Sequence, residues 1–248
     1  MGNNEKTALV LFSGGVDSTY VAARSAPLFD RLVLNTYRTP GMLRVEASRK
    51  SSRQLASLFG EKIVHNIIDI TDLVEKVRGG TGACVRDCFR YGFLYPWCLG
   101  CKLAMHLYTI GFCLREGLDI VLDGSNYYDK HALEQREEVK EFFSGLYGEK
   151  GITFSAPYYR EKDIKPAEGP LAALLRDLAL LKDSTEKRVA WLREHGIDPG
   201  KGVMSQYRGC QPSCSGSLFF NIPRTVLKRI FRENREKYLS YLKDKARP

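Results

Sequence analysis

The run Ala8-Leu9-Val10-Leu11-Phe12 passes directly into Ser13-Gly14-Gly15-Val16-Asp17-Ser18, and helix-forming sequence follows with no spacer. An unbroken apolar run is what a strand covered on both faces requires. Backbone N–H groups at a strand-to-helix turn, aimed along a helix N-terminus, make an anion site. Gly14 and Gly15 let that backbone approach a phosphate closely, and Ser13 and Ser18 add hydroxyl donors. A plain tight turn explains neither the hydroxyls nor Asp17. The turn is not a Walker A loop, because no Gly-Lys-Ser/Thr follows, and it lacks the Gly-x-Gly-x-x-Gly of dinucleotide sites.

The same alternation continues downstream. Strands are predicted at Thr7 to Phe12, Arg31 to Tyr37, Lys62 to Ile70 and Asp119 to Gly124. Between them lie a helix from about Ser18 that stops before Pro27, one from Leu43 to Phe59 closed by Gly60, and one from Lys102 to Glu116 closed by Gly117. Apolar strands alternating with helices imply an α/β fold, a parallel sheet with helices on both faces, whose ligands bind at the carboxyl ends of the strands. The second half shows no clear strand and reads as helical. Candidates are Leu171 to Leu181, a helix opened by the capping box Asp183-Ser184-Thr185-Glu186 and ending at Gly196, and a last helix from near Pro223. That last helix would turn Val226, Leu227, Ile230, Tyr238 and Leu242 toward the core. Pro157, Pro166, Gly169 and Pro170 mark a soft boundary, dividing the chain into residues 1–157 and a mainly helical C-terminal part, 158–248.

No apolar run approaches the ~18 residues that span a bilayer, and Met1 to Lys6 lacks the order of a signal peptide. A cytoplasmic protein with no membrane partner is expected. The net charge of +9 is concentrated late: residues 224–248 hold nine basic residues against three acidic ones. Such a surface suits an anionic partner, nucleic acid being the usual one, or simply serves as a solvated helix face.

Six of the seven cysteines fall in close pairs, Cys84/Cys88, Cys98/Cys101 and Cys210/Cys214. In a cytosolic chain such spacing favours metal or redox chemistry over disulfides. Cys98-x-x-Cys101 is expected at the entrance to a helix, where thiolates are favoured and Lys102 would add charge. With Cys210 and Cys214 the pair would complete a four-ligand zinc site; three cysteines would instead hold an iron–sulfur cluster with one iron open. Cys113, within an apolar helix, is expected in the core. Cys84 and Cys88 lie in a Gly- and Arg-rich segment read as a mobile loop over the site, equally suited to a role as ligand or sulfur carrier or to an incidental place. In and after it, Arg86, Arg90, Tyr91 and Trp97 offer charge and stacking surface to a nucleic acid, or else pack a loop. His65 is expected within a strand, His106 on a helix face, His131 opening a helix and His195 at a helix end; no two share metal-ligand spacing.

Ser13-Gly14-Gly15-Val16-Asp17-Ser18 resembles the SGGxDS signature of the PP-loop ATP pyrophosphatases, over roughly the first 130 residues of the chain. The resemblance implies an adenine nucleotide alpha-hydrolase-like fold that binds ATP and cuts between its α and β phosphates. The substrate is adenylated on a carbonyl oxygen, and a sulfur or nitrogen nucleophile displaces AMP. It implies that Ser13, Gly14, Gly15, Asp17 and Ser18 bind pyrophosphate, with Asp17 near Mg²⁺, and that Asn35 to Arg38 lie near the adenine. Asp123-Gly124-Ser125-Asn126 with Asp129 resembles, more loosely, a second signature of the thiolating members; an ordinary turn is the alternative. Cys98-x-x-Cys101 with Cys210, or Cys214, resembles the cysteine set of the cluster-dependent tRNA thiolation enzymes in this superfamily. That resemblance implies a 4Fe-4S cluster, a tRNA base as substrate, and free sulfide or a donor protein as sulfur source; a homodimer is among the assemblies it allows. The chain is expected to depart from those enzymes in two ways, in lacking the extra N-terminal zinc or tRNA-binding domain that many of them carry and in having the additional pair Cys84/Cys88. A related alternative is an amide- or nitrile-forming ligase of the deazaguanine type, with structural Zn²⁺. A zinc-stapled nucleotide-binding module without catalysis is a third.

Overall fold

Strand β1 (Thr7–Leu11) lies at the centre of a five-stranded, wholly parallel sheet. In the computed structural model, which describes residues 5–40, 42–43, 45–91, 95–125, 136–157, 185–199, 213–214 and 235–247, Leu11 pairs with Asn35 of β2 (Arg31–Arg38) and with Asp123 of β5 (Ile120–Asp123). β4 (Ile63–Asp69) lies outside β2, and β6 (Thr153–Ser155) outside β5, giving the order β4-β2-β1-β5-β6. The apolar run of β1 is divided between two cores. Leu9 and Leu11 enter one, while Ala8, Val10 and the following Phe12 enter the other.

The helices α1 (Val16–Ser25) and α2 (Ser48–Phe59) belong to the Ala8–Val10 side, where Tyr20, Val21 and Leu55 are buried. The opposite core takes Val74 and Val77 from α3 (Thr71–Arg78), Leu99 and Leu103 from α5 (Tyr95–Glu116), and Phe143 from α6 (Glu137–Gly148). Each such side chain contributes roughly 1.5–3 kcal/mol by leaving water. The two helices described in the C-terminal part go to different faces. α7 (Thr185–Glu194) buries Leu192 beside α1, and α8 (Arg235–Ala246) buries Tyr238, Tyr241 and Leu242 against α5.

The chain proceeds from β1 outward to β2 and β4, then returns through α3, α4 (Gly80–Tyr91) and α5 to start β5 on the other side of β1. That reversal between β1 and β5 leaves a crevice at the carboxyl ends of the two strands, where ligands bind in sheets of this kind.

The α/β expectation holds, with local corrections. The segment around Cys84 and Cys88, expected as a loop, is helix α4. Its inner side is held by α8: the Tyr91 hydroxyl donates to Asp244 at 2.5 Å, and Lys245 pairs with Asp87 at 2.7 Å. α5 begins at Tyr95 rather than Lys102, so the cysteine pair lies within its first two turns. α2 begins at Ser48, because Met42–Leu43 forms a short strand, β3, and a 3₁₀ turn follows. The second half does contain strands. β6 extends the sheet, and β7 (Ser213–Cys214) pairs antiparallel with β3, Met42 opposite Cys214. Residues 171–181, residues 223–234 and His131 lie outside the described residues.

Candidate functional site

The loop after β1 is held in shape by its own hydroxyls. Ser18 Oγ accepts from the Ser13 N–H (3.2 Å) and lies 3.0 Å from Ser13 Oγ, which in turn accepts from the Gly15 N–H at 3.2 Å. Gly15 caps α1 with no side-chain bond to the first turn, so that helix start presents backbone N–H groups and positive dipole. Both neighbours of the loop demand glycine. Gly14 has φ +73°, and a Cβ there would stand 2.6 Å from the Ser48 Cα, at the start of α2. Ser51 on the same helix donates to the Gly14 carbonyl at 2.9 Å. A Cβ on Gly124, after β5, would meet Ser18 N at 2.6 Å and Ser18 Cα at 2.7 Å. The two motifs, more than a hundred residues apart, are therefore in backbone contact across the crevice.

Beneath the loop lies a polar chain in which Thr36 and Ser52 are buried and His65 is half-buried. Thr36 donates its one proton to the Phe12 carbonyl (2.6 Å), so it must accept from His65 Nε2–H (2.9 Å). His65 Nδ1 is then the acceptor for Ser52 Oγ at 2.8 Å. The ring is neutral: burial first, and Arg49 second, bring its pKa down to about 4.

Asp17, in the first turn of α1, is bound by a residue that the sequence reading did not single out. Arg188 of α7, only 1% exposed, reaches Asp17 Oδ1 at 2.7 Å. The available signal was weak, since Arg188 shares a helical face with the buried Leu192.

On the other wall, Asp123 gathers charge. Lys140 Nζ lies 3.0 Å and Lys102 Nζ 3.7 Å from its Oδ2, and the Ser125 hydroxyl donates to it at 2.7 Å. Burial alone would raise the Asp123 pKa, but Lys102 and Lys140 hold it well below the usual carboxylate range. The face of α5 that carries His106 is an inward one: the ring is fully buried, stacked on Phe143 at 3.8 Å and bonded to the Tyr147 hydroxyl. Lys102 follows Cys101 directly, and Asp123 precedes Gly124. The first turns of α5 are thereby tied to the strand end that touches the phosphate loop.

Cys101 is half-buried, and the Arg78 guanidinium donates to its sulfur at 2.8 Å. Gly100 makes that approach feasible, because a Cβ there would stand 2.8 Å from the Tyr241 hydroxyl and 3.1 Å from Arg78 Cγ. Cys98 lies one turn earlier on α5, its side chain outside the description, as are those of Cys84 and Cys88. Cys210 and Asn126 lie outside the described residues. Cys214 is placed by its backbone alone, opposite Met42 just past the carboxyl end of β2. Among the described residues no group of three or more His, Cys, Asp or Glu is arranged to hold a metal. Asn35 stays within the sheet, accepting from Asn66 (3.0 Å) and donating to Tyr37, while its carbonyl accepts from Phe12 N. Cys113 is fully buried, its thiol pushed up to about 12 by burial, which suits a core residue. Among the described residues no helix is long and apolar enough to cross a membrane.

No protein-family model matches the chain, and no curated protein matches it in sequence. Among solved structures, the predicted subunit of tRNA methyltransferase from Methanocaldococcus jannaschii aligns over 78% of this chain and 90% of its own, at 19% identity and a TM-score of 0.42. The U34-tRNA thiolase NcsA from Methanococcus maripaludis, solved with its 4Fe-4S cluster, aligns over 99% of this chain and 72% of its own, at 14% identity and a TM-score of 0.43. At scores this low the site is read from the chain's own residues. In the sequence of its loop, and in a parallel α/β sheet that sets that loop at a switch point, the chain resembles the PP-loop ATP pyrophosphatases.

Proposed function

We propose that the chain is an ATP-dependent enzyme that adenylates a carbonyl oxygen of a tRNA base and replaces that oxygen with sulfur, releasing AMP and pyrophosphate. The supporting observation is the continuous junction from Cys101-Lys102, through the ion pair to Asp123, to Gly124 against Ser18. It puts a cysteine turn and a phosphate-type loop at one edge of one sheet.

In this reading the start of α1, with Ser13 and Ser18, holds the pyrophosphate portion of ATP. The loop's internal hydroxyl bonds fix the backbone, so the first-turn N–H groups of α1 meet the charge that develops on the leaving group without rearranging. The Asp17 carboxylate is 26% exposed and stands in the same turn as the Ser13 and Ser18 hydroxyls, a hard-oxygen donor set that suits Mg²⁺. Mg²⁺ at Asp17 would supply neutralising charge to the pyrophosphate. Arg188, 2.7 Å from Oδ1, orients that carboxylate.

Cys101 fits a thiolate ligand, since a guanidinium beside a sulfur favours the anion. Cys98, Cys101 and Cys210, with Cys214 as the alternative third, would hold a 4Fe-4S cluster, whose chemistry here would be to present sulfur as the nucleophile. With residues 1–157 as the nucleotide-binding part and 158–248 as the helical C-terminal part, Arg188 and the third cysteine are the second part's contributions to the site.

The test is metal and sulfide analysis of protein purified without oxygen, followed by AMP formation from ATP and tRNA with sulfide or with ammonia. Iron, acid-labile sulfide and sulfide-dependent AMP are expected. Stoichiometric zinc without iron, together with AMP release driven by ammonia alone, would overturn sulfur transfer in favour of a nitrogen nucleophile. Tight ATP binding with no AMP under any condition would overturn the enzymatic reading itself.

A further inference from the structure

Helix α4 carries an outward stripe that the proposed chemistry leaves unused. Val85 is 52% and Phe89 89% exposed, one helical turn apart, and Arg86 and Arg90 stand beside them with the same spacing. The opposite side of the helix is committed to α8. Asp87 is buried against Lys245, and Tyr91, 5% exposed, is fixed by Asp244 and packs edge-on against Tyr241. Tyr91 is therefore not the stacking surface that the sequence suggested; Phe89 takes that position.

The division of charge matters more than its total. The one acid of α4 points inward and is paired, so both of its arginines face solvent around a bare aromatic ring. Asp244, beside the stripe, already accepts from Tyr91 and lies 4.0 Å from Arg90, which itself stays 68% exposed. Lys243 and Arg247 add positive charge at the adjoining end of α8. Val85 and Phe89 together leave an apolar strip in water. Here the surround is guanidinium. Arginines at one-turn spacing about a flat ring match phosphates flanking an unstacked base.

We infer that the Val85–Arg90 stripe of α4 is the docking face for a single-stranded segment of the RNA substrate, with Phe89 stacking on a base and Arg86 and Arg90 contacting phosphates. The stripe leads to the cysteines, since α4 packs on α5 and ends at Tyr91, four positions before the first residue of α5. The inference rests on the tRNA reading above and adds where the RNA is held.

The test measures binding of a fluorescein-labelled tRNA transcript to the intact protein, to Phe89→Ala and to Arg86→Gln/Arg90→Gln, over a series of salt concentrations. ATP binding by each variant reports an intact fold, which substitutions at exposed positions should leave unchanged. Phe89→Ala should weaken RNA binding roughly fivefold to a hundredfold. The double arginine variant should lower the slope of log affinity against log salt by about 1.4, at about 0.7 per phosphate contact. If the unaltered protein binds tRNA and both variants bind it equally, with the same slope, the docking face is wrong while the substrate reading stands. If the unaltered protein binds no tRNA even at low salt, the substrate reading fails and this inference with it. Loss of self-association in Phe89→Ala, seen by light scattering with RNA binding intact, would assign the stripe to a second copy of the chain and overturn the proposal.

Discussion

Asp17 and Arg188 are unequal partners, and the inequality separates catalysis from stability. Asp17 retains access to water, whereas Arg188 is 1% exposed. Removing the carboxylate takes a counter-charge 2.7 Å away from a buried cation, which costs about 3 kcal/mol. Removing the guanidinium leaves a carboxylate that water can solvate. Asp17→Ala should therefore lose AMP formation and also several degrees of Tm, Asp17→Asn should lose AMP formation with a smaller loss of Tm, and Arg188→Met should be the least destabilised. Equal Tm losses in all three would mean that the pair is not the buried partner of the loop. Gly124→Ala tests the crevice. Its Cβ would meet backbone rather than a movable side chain, so the two loops must part by several tenths of an ångström. ATP affinity should fall at least about tenfold, while the overpacking costs about 1–3 kcal/mol. ATP titration and a urea melt of the same preparation read both. Gly124 was legible in the sequence as a motif residue, but its reason, contact with Ser18, was not. Arg188 was scarcely legible, because one arginine among several on a polar helix is marked chiefly by what it touches, its spacing from the buried Leu192 being a weak signal.

At the scale of elements, the central strands could be read from sequence because burial on two faces leaves an unbroken apolar run that little else produces. β6 could not. It has three residues, all half-buried at the sheet edge, and its place comes from pairing with β5. α4 was misread for a related reason: its glycines argue for a loop, and what holds it as a helix is α8, some 150 residues later. The early start of α5 did carry a signal, since Pro96 at the second position suits a helix's first turn. That start matters chemically, because it brings Cys101 to Arg78, one residue beyond a glycine that the neighbouring helices require. Arg78→Met should slow alkylation of the Cys101 peptide by iodoacetamide about tenfold near neutral pH, as thiolate is lost. Arg78→Lys should restore part of the rate, and mass spectrometry of that peptide distinguishes it from the other cysteines. An unchanged rate in Arg78→Met would show that the guanidinium does not act on the sulfur.

The whole molecule joins these sites through buried polar groups, and their titration should show in its stability. His65 under the phosphate loop and His106 under the Asp123 cluster are both neutral when folded. Burial, more than any neighbour, lowers the first to about 4 and the second well below the ordinary value. An unfolded chain returns both to about 6.5. As pH falls from that value the unfolded state takes up protons first, so stability is complete above about 6.5 and declines toward pH 4. His65 contributes across that window in the direction its lowered pKa dictates, with solvent screening of the part-exposed ring reducing the size of the effect. Asp123 acts in a separate, more acidic window. Its folded pKa is depressed, so its contribution is present above about 4 and is lost only as pH falls further. Urea midpoints at pH 7.5, 6, 5 and 4 should therefore drop steadily across the histidine window. His65→Gln should be somewhat less stable at pH 7.5, having weakened the bonds to Thr36 and Ser52, yet should lose less on acidification. Its midpoint should approach that of the unaltered chain near pH 4, which would tie the acid sensitivity of the whole fold to the ring that supports the loop. Parallel curves for the two proteins would place that sensitivity elsewhere.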